Sequence, residues 1–417
     1  MKRILTAAVL LVAAMPGMAA ERCEYEQIPV GERRLGAWID ASNWLATDTQ
    51  RLTLPTATTF MPAIRMSVVN TAPLRPTPNV RQLDLNRLPA TDPADGSRRD
   101  LGFLFASRLG ADAVVVLHNG RRIAEQYWHG TPAEAPRALL SGSRPVLSLL
   151  GGIAIQKGRL AGDKAVTRPI ATIADNAALR KLSVRRLLEG NDAYAWGAED
   201  SAGWMQAAGW GSVRGPGTRA WLSRQDGWGA LAPAHGLPPA EGRPEDDLLA
   251  WLIAESMATP VSQLFCESLL AGLRPEHPAL WLTDPAGHEL AAGLALSPRD
   301  HARLGQLVLD ARTSGKRGRL PDWLIEALAA PTGNRPVPEL AGLPAGSELR
   351  YGFVRLGGKG SRVALLGPGG TSLFIDFDRR LVIALHASHA GTNSPLLRAT
   401  LDETWRAIAA ALPTNRR

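Results

Sequence analysis

Ser141 stands three residues ahead of Arg144 in the segment Leu139-Leu140-Ser141-Gly142-Ser143-Arg144-Pro145-Val146-Leu147-Ser148. On a helix those two positions share a face. A serine hydroxyl attacks a carbonyl carbon only when a neighbouring group takes its proton, and a lysine three residues on could do so. Arginine cannot, because its pKa above about 12 keeps it charged at any working pH. The spacing therefore supplies a nucleophile without its usual base. A second candidate group comes from register. Thr371 to Asp376 and Leu381 to His386 read as a hairpin turning at 377–380. With Asp376 facing Leu381, antiparallel counting sets Thr371 opposite His386 and Pro368 opposite His389. His389 would then stand beside the glycine turn Gly367-Pro368-Gly369-Gly370-Thr371 as a replacement base. His118 and His129 fall in a distal hairpin and read as structural, while His235 has no positional argument.

These residues need a scaffold, and its elements are readable. Ala113-Val114-Val115-Val116-Leu117-His118 is a β-branched run ending in Asn119-Gly120, a two-residue hairpin signal, and 122–128 returns as the second strand. The Ser141 helix follows, running through Ile155 with Gly158 as its stop; Pro145 is tolerated in a first turn. Residues 193–244 hold five tryptophans among many Gly and Pro, which reads as a loop-rich lid. Asp247 to Glu255 and Pro260 to Leu273 return to helical periodicity. Ser297-Pro298-Arg299-Asp300 opens a further helix with Ser as its N-cap. Strands at 363–366, 371–377 and 381–386 and a helix over 396–412 close the chain.

The ends and the composition set bounds. Residues 1–20 read as a secretory signal peptide: Lys2 and Arg3, then an apolar core, then small residues before a cut near Ala19 or Ala20. The apolar run is too short to span about 30 Å of hydrocarbon, so export to the periplasm or medium is expected, without stable membrane insertion. Removing Lys2 and Arg3 takes the net charge from +8 to +6. That surplus is dispersed, without the aromatic-interleaved basic runs of a nucleic-acid binder. Residues 21–100, rich in Pro, Thr and Arg, read as an extension wrapping a body at 101–417. Cys23 and Cys266 enter an oxidising compartment. They either form one disulfide or leave Cys266 as a buried thiol. No His or Cys lies at metal-ligand spacing from either.

From Leu101 onward the order of elements resembles the β-lactamase-related serine hydrolases and penicillin-binding proteins, closest to the class C-like branch of 6-aminohexanoate-dimer hydrolases and esterases. The resemblance rests on 112–120, on Gly158-Arg159-Leu160 with 181–188, and on 292–307. It implies an α/β (α+β) fold: an antiparallel sheet flanked by helices, with a helical and loop-rich lid. It implies three site motifs, all altered here. The first, S-x-x-K, reads Ser141-x-x-Arg144. The second, Tyr-x-Asn or Tyr-x-Ser before the Asp247 helix, falls on Glu241 and Arg243. The third, a Lys- or His-led Gly turn, falls on Gly367-Pro368-Gly369-Gly370-Thr371. Its leading group is lost, but Gly369 and Gly370 would still let backbone approach a ligand. Lys359-Gly360-Ser361 offers a lysine-led turn, one strand too early.

Two functions follow. In the first, Ser141 forms an acyl-enzyme with an amide or ester. Its own N–H and a strand N–H near Thr371 then make the oxyanion hole, and Glu241 or His389 acts as base. In the second the site is a pseudoenzyme, in which Arg144 and Glu241 form a plain ion pair. Arg144 and Arg243 would then draw a carboxylate-bearing peptide, peptidoglycan fragment or protein partner into the cleft. Neither reading requires a metal or organic cofactor. The partner is a small molecule or peptide, and the oligomeric state stays open.

Overall fold

The computed structural model describes residues 21–69, 82–190, 192–224, 228, 231–233, 239–313, 319–330, 340–391 and 394–412. The expected signal peptide, His235 and part of the 193–244 lid lie outside that set. In chain order the elements that position the site begin with strands β1 (Arg22–Ile28) and β2 (Ala63–Val69). The hairpin β3 (Ala111–His118) and β4 (Arg121–Tyr127) follows, then the short β5 (Arg137–Ala138). Helices α1 (Arg144–Gln156), α2 (Val184–Glu189) and α3 (Pro244–Met257) come next, then strands β6 (Ala279–Thr283) and β7 (Glu289–Leu296) and helix α4 (Pro298–Thr313). Strands β8 (Glu348–Arg350), β9 (Phe353–Arg355), β10 (Arg362–Leu366), β11 (Ser372–Asp376) and β12 (Leu381–Ala387) precede helix α5 (Pro395–Ala411).

The antiparallel sheet that the resemblance implies is present and is the larger of two that organise these elements. The larger runs β8-β9-β10-β11-β12-β3-β4, the smaller β1-β2-β6-β7-β5. The β3–β4 turn forms where expected: Asn119 (φ 52°) and Gly120 (φ 73°) take the left-handed conformations of a type I′ hairpin. Asp376 faces Leu381 as the register requires. Ser297 and Asp300 exchange hydrogen bonds at the start of α4, the Oγ accepting from Asp300 N at 3.2 Å and donating to its carboxylate at 2.7 Å.

The large sheet separates two apolar layers because side chains alternate along each strand. Val363, Leu365, Leu373, Ile375 and Val382 join α1, α3 and the small sheet. Ala364, Leu366, Phe374, Ile383 and Leu385 join Trp405 of α5. Residues 22–69 do more than wrap this body. β1 and β2 extend the small sheet through the β2–β6 pairing, and Trp44, Leu54, Phe60 and Met66 lie in the first layer, 0–1% exposed. The lid also holds more regular structure than its Gly and Pro content suggests, with helices at Ala198–Ala208 and Thr218–Arg224. Among the described residues no single helix is long and apolar enough to cross a membrane.

Cys23 on β1 is bonded to Cys266, buried in the helical segment after α3. The bond closes a loop of 243 residues, for which chain entropy sets a ceiling of about 5 kcal/mol. We expect paired Cys23→Ser and Cys266→Ser substitutions to lower the unfolding free energy by about 2–5 kcal/mol in denaturant titrations. A loss below about 0.5 kcal/mol would show that the strand pairing alone holds the N-terminal segment.

Candidate active site

Ser141 does not sit within the helix. It lies in a 3-10 turn, Leu140–Ser143, that leads into α1. Leu140 ahead of it has φ 50°, a left-handed conformation disfavoured for a side chain of that kind. Such strain persists only where the surroundings over-determine it, and here β7 does so. Leu139 N donates to Leu294 O at 2.8 Å, and Ser143 Oγ accepts from Leu294 N at 3.1 Å. The glycine turn after β10 meets Ser141 from the other side. A Cβ on Gly142 would lie 3.4 Å from Gly367 Cα, and one on Gly367 would lie 3.1 Å from Leu139 O. Glycine at both positions lets the two backbones touch. Ser141 and the third motif are thus neighbours.

The oxyanion donors are committed elsewhere. Ser141 N donates to Ala240 O at 2.8 Å and Thr371 N to Pro368 O at 3.1 Å. Thr371 Oγ1 is 3.2–3.3 Å from Ala387 O and N, inside the hairpin end. The oxyanion hole read from sequence is therefore occupied by the protein's own carbonyls. Among the described residues no side chain hydrogen-bonds the Ser141 hydroxyl, which is nearly buried at 6% residue exposure.

Arg144 faces away from this serine. Its Nε donates to Asp246 Oδ1 at 2.6 Å, and Nη2 donates to Leu187 O at 2.7 Å and Leu188 O at 3.2 Å. Nη1 donates to Ser148 Oγ. The guanidinium is buried, and every nitrogen has a partner. This corrects the expected Arg144–Glu241 pair: the counter-ion is Asp246, the third helical residue of α3. Its position reaches Arg144 across the α1–α3 packing, whereas Glu241 lies in the preceding turn, half-buried and without an ion pair among the described residues. Arg144 also adds no net positive charge to the cleft, since Asp246 neutralises it.

The remaining candidates divide. Arg243 is the half-buried N-cap residue of α3, close enough to Glu245 to help hold that carboxyl down. Register brings His389 to the glycine turn as counted, its N donating to Gly369 O at 2.9 Å. Its ring, however, turns into its own loop, where Nδ1 accepts from Gly391 N at 2.9 Å. Gly369 (φ 63°) and Gly370 (φ 85°) need the left-handed conformations that glycine permits. Among the described residues no three His, Cys, Asp or Glu side chains are grouped to hold a metal ion.

Sequence reasoning missed three groups: Asp246, the Ala240 carbonyl and Ser148. The available signal was Glu245-Asp246-Asp247, three consecutive acids behind Pro244. Such a run fits an exposed first turn facing the helix dipole, yet all three are buried at 4–7% exposure. Burial, and secondarily the Asp246 charge, push Glu245 up to about 7, against hydrogen bonding from Trp196 Nε1 at 3.0 Å. Burial likewise pushes Asp247 up to about 7, against donors Ala291 N and Trp204 Nε1, each at 2.8 Å. Two buried histidines oppose them. His301 of α4 and His386 of β12 pack with ring centroids 5.3 Å apart. Burial lowers His301 to about 3, and burial, His301 and the buried Arg137 push His386 well down.

These shifts have opposite signs in stability. Below pH 6.5 the unfolded chain protonates histidines that the fold keeps neutral, so stability falls with pH from 6.5 toward 3. The fold holds protons on Glu245 and Asp247 up to about 7, while the unfolded chain releases them above 4.5 and 3.8. Their contribution is lost as pH rises through that window. Asp376 and Asp402, also raised by burial, act with the acids. Unfolding free energy should therefore not fall between about pH 6.5 and 4.5. Glu245→Gln with Asp247→Asn removes the protons and turns one acceptor of each carboxyl into a donor, a loss that does not vary with pH and so leaves the slope as the readout. In that variant the unfolding free energy from denaturant titrations should fall toward acid by about 1–2 kcal/mol per pH unit. Parallel pH profiles for the two proteins would refute the assignment.

The Arg144–Asp246 pair gives a second expectation. Asp246→Ala strands a buried cation and should cost about 3–5 kcal/mol, whereas Arg144→Met with Asp246→Leu should cost far less. Equal losses in the two proteins would mean the pair contributes packing rather than charge balance.

Comparison with known proteins bears on this site. No family model matches the chain. Its sequence is 24% identical over 277 residues to the 6-aminohexanoate-dimer hydrolase of Paenarthrobacter ureafaciens, covering 64% of this chain and 69% of that one. A Bacillus anthracis structure carrying a provisional 6-aminohexanoate-dimer hydrolase name superposes with a TM-score of 0.72 at 20% identity, over 88% of this chain and 96% of that one. The D-amino acid amidase of Ochrobactrum anthropi SV3 superposes at 0.53 with 16% identity, over 74% and 99%. An octameric penicillin-binding protein homologue from Pyrococcus abyssi gives 0.55 and 14%, over 72% and 76%.

Proposed function

We infer function from one premise: this chain belongs to the β-lactamase and penicillin-binding-protein superfamily of serine hydrolases, and its relatives point to β-lactamase-like amide and ester hydrolysis. We propose that it is an exported member that binds a small amide-, ester- or peptide-bearing ligand at Ser141 without turning it over by the serine–lysine route. One observation carries this reading: Arg144, at the base position, is locked by Asp246, Ser148 and the two carbonyls at the end of α2.

Loss of the general base costs roughly 10²–10⁴ in rate. Occupation of an oxyanion donor, here Ser141 N by Ala240 O, costs roughly 10²–10³ more. Together these remove most of the catalysis such a site supplies. What remains at the site is the Ser141 hydroxyl, held by no side chain of the described residues, beside the glycine turn.

A second reading, a serine hydrolase acting through a Ser141 acyl-enzyme, is favoured by the strained Leu140. Strain of this kind clusters at active sites, and a single hydrogen bond from Ser141 N to Ala240 O occupies the amide. Movement of that turn on ligand binding would free the donor, leaving Glu241 or His389 to take the serine proton.

Intact-mass spectrometry with a fluorophosphonate probe separates the two. The binding reading expects no adduct on the folded wild-type protein after hours. It also expects calorimetric binding of linear 6-aminohexanoate dimer with no monomer released. An adduct that disappears in Ser141→Ala, or monomer release lost in that variant, would establish the hydrolase.

A further inference from the structure

The lysine-led turn that the Ser141 site does not use opens a cavity of about 320 Å³ elsewhere on the molecule. Lys359 and Gly360 lie at its rim, Arg362 begins β10, Arg379 belongs to the β11–β12 turn, and α5 forms the opposite wall. The cavity lies at the far end of β10 from Gly367, roughly 13 Å along the strand at 3.3 Å per residue. It is also on the other face of the sheet. Phe374 and Trp405, stacked with centroids 4.9 Å apart, form its floor and belong to the second apolar layer. It is separate from the candidate active site.

Its polar groups are unbalanced. The two carboxylates lining it serve the protein's own turns. Asp376 Oδ1 accepts from Asp378 N at 3.0 Å and Arg379 N at 2.9 Å, and Asp378 Oδ2 accepts from Ser361 N at 2.8 Å. The donors are only partly used. Arg379 Nη1 caps the α5 end through Ala409 O at 2.6 Å, and Arg362 Nη2 donates to Gly357 O at 2.7 Å. Arg362 Nε is buried with no partner, and the exposed Lys359 has none among the described residues. A buried donor without an acceptor costs free energy. This one belongs to a lining with two further cations, Lys359 and Arg379, whose N–H groups are not all taken; the remaining one, Arg406, is paired with Asp402 and Glu403.

We propose that this cavity is a binding site for a small oxyanion-bearing molecule, whose carboxylate or phosphate is held by Lys359, Arg362 and Arg379 while its apolar part rests against the α5 wall. Planar guanidinium groups suit both anions, because their paired N–H donors match two oxygens of one group. The volume lies within the range of small-ligand sites.

The full-length mature protein is titrated calorimetrically with inorganic phosphate and with succinate, each against sodium chloride at matched ionic strength. Saturable binding of at least one of the two is expected. The tighter arm identifies the source of the oxyanion. Lys359→Glu, in an exposed turn, should weaken that binding at least tenfold, and Arg379→Gln should do likewise if it folds. Heats indistinguishable from chloride in both arms, or binding unchanged in Lys359→Glu, would overturn the proposal.

Discussion

The buried pair between Arg144 and Asp246 is the interaction on which the rest of the site depends. Placing a guanidinium in an apolar core is costly unless charge and N–H groups are both satisfied. Three elements are drawn together to satisfy them: α3 supplies the carboxylate, α2 supplies its last carbonyls, and α1 supplies Ser148 one turn along. Those α2 carbonyls are the orphan acceptors every helix leaves at its C-terminus, so the same contact caps α2 just before Gly190 turns left-handed. A lysine would present one point of attachment, whereas the arginine fork presents three. The arginine therefore builds a joint, which ties the start of α1 to α2 and α3.

Around that joint the backbone does the positioning. Leu140 is held at positive φ by β7 and Gly142 meets Gly367 without side chains between them. The serine turn and the glycine turn thus approach as closely as backbones can. In a catalytic member of such a fold this apposition would leave two amides aimed at one point. Here the carbonyls of Ala240 and Pro368 take those amides. The geometry of the scaffold is preserved while its electrostatic purpose is spent internally, which is why similarity of fold and retention of the nucleophile say little about turnover.

Much of the scaffold was legible because it rests on local chemistry. Asn119-Gly120 announces its turn, Ser297 with Asp300 announces a helix start, and the spacing across 377–380 sets the register that puts His389 at the glycine turn. The strand and helix limits read for 362–411 fall within two residues of those observed. The site was legible only in its members. Which acid answers Arg144 depends on how α1 packs against α3, and both Glu241 and Asp246 were within reach by sequence. The ring direction of His389 depends on one backbone N–H two residues on. The occupied oxyanion donors depend on Ala240, a residue with no chemical signature at all. The N-terminal segment misleads for a related reason: its Pro and Thr content reads as wrapping, while Trp44, Leu54, Phe60, Met61 and Met66, spread along it, are buried to the limit.

The acids behind Pro244 show how such a site is tolerated. Asp246 is needed ionised against Arg144, and two more charges beside it would repel it in a medium where charges interact strongly. The fold resolves this by raising both neighbours toward neutrality through burial while giving each carboxyl an indole or amide donor. Below about pH 7 the three adjacent acids thus behave increasingly as one charge and two hydrogen-bonding groups. The tryptophans of the lid take part in this arrangement, since Trp196 and Trp204 are the donors that keep Glu245 and Asp247 satisfied. The aromatic richness of 193–244 is therefore tied to the chemistry of α3: it buries the acids that surround the counter-ion of Arg144. Arg144, its counter-ion and the acids beside it are thus parts of one joint shared by α1, α2, α3 and the tryptophans of the lid.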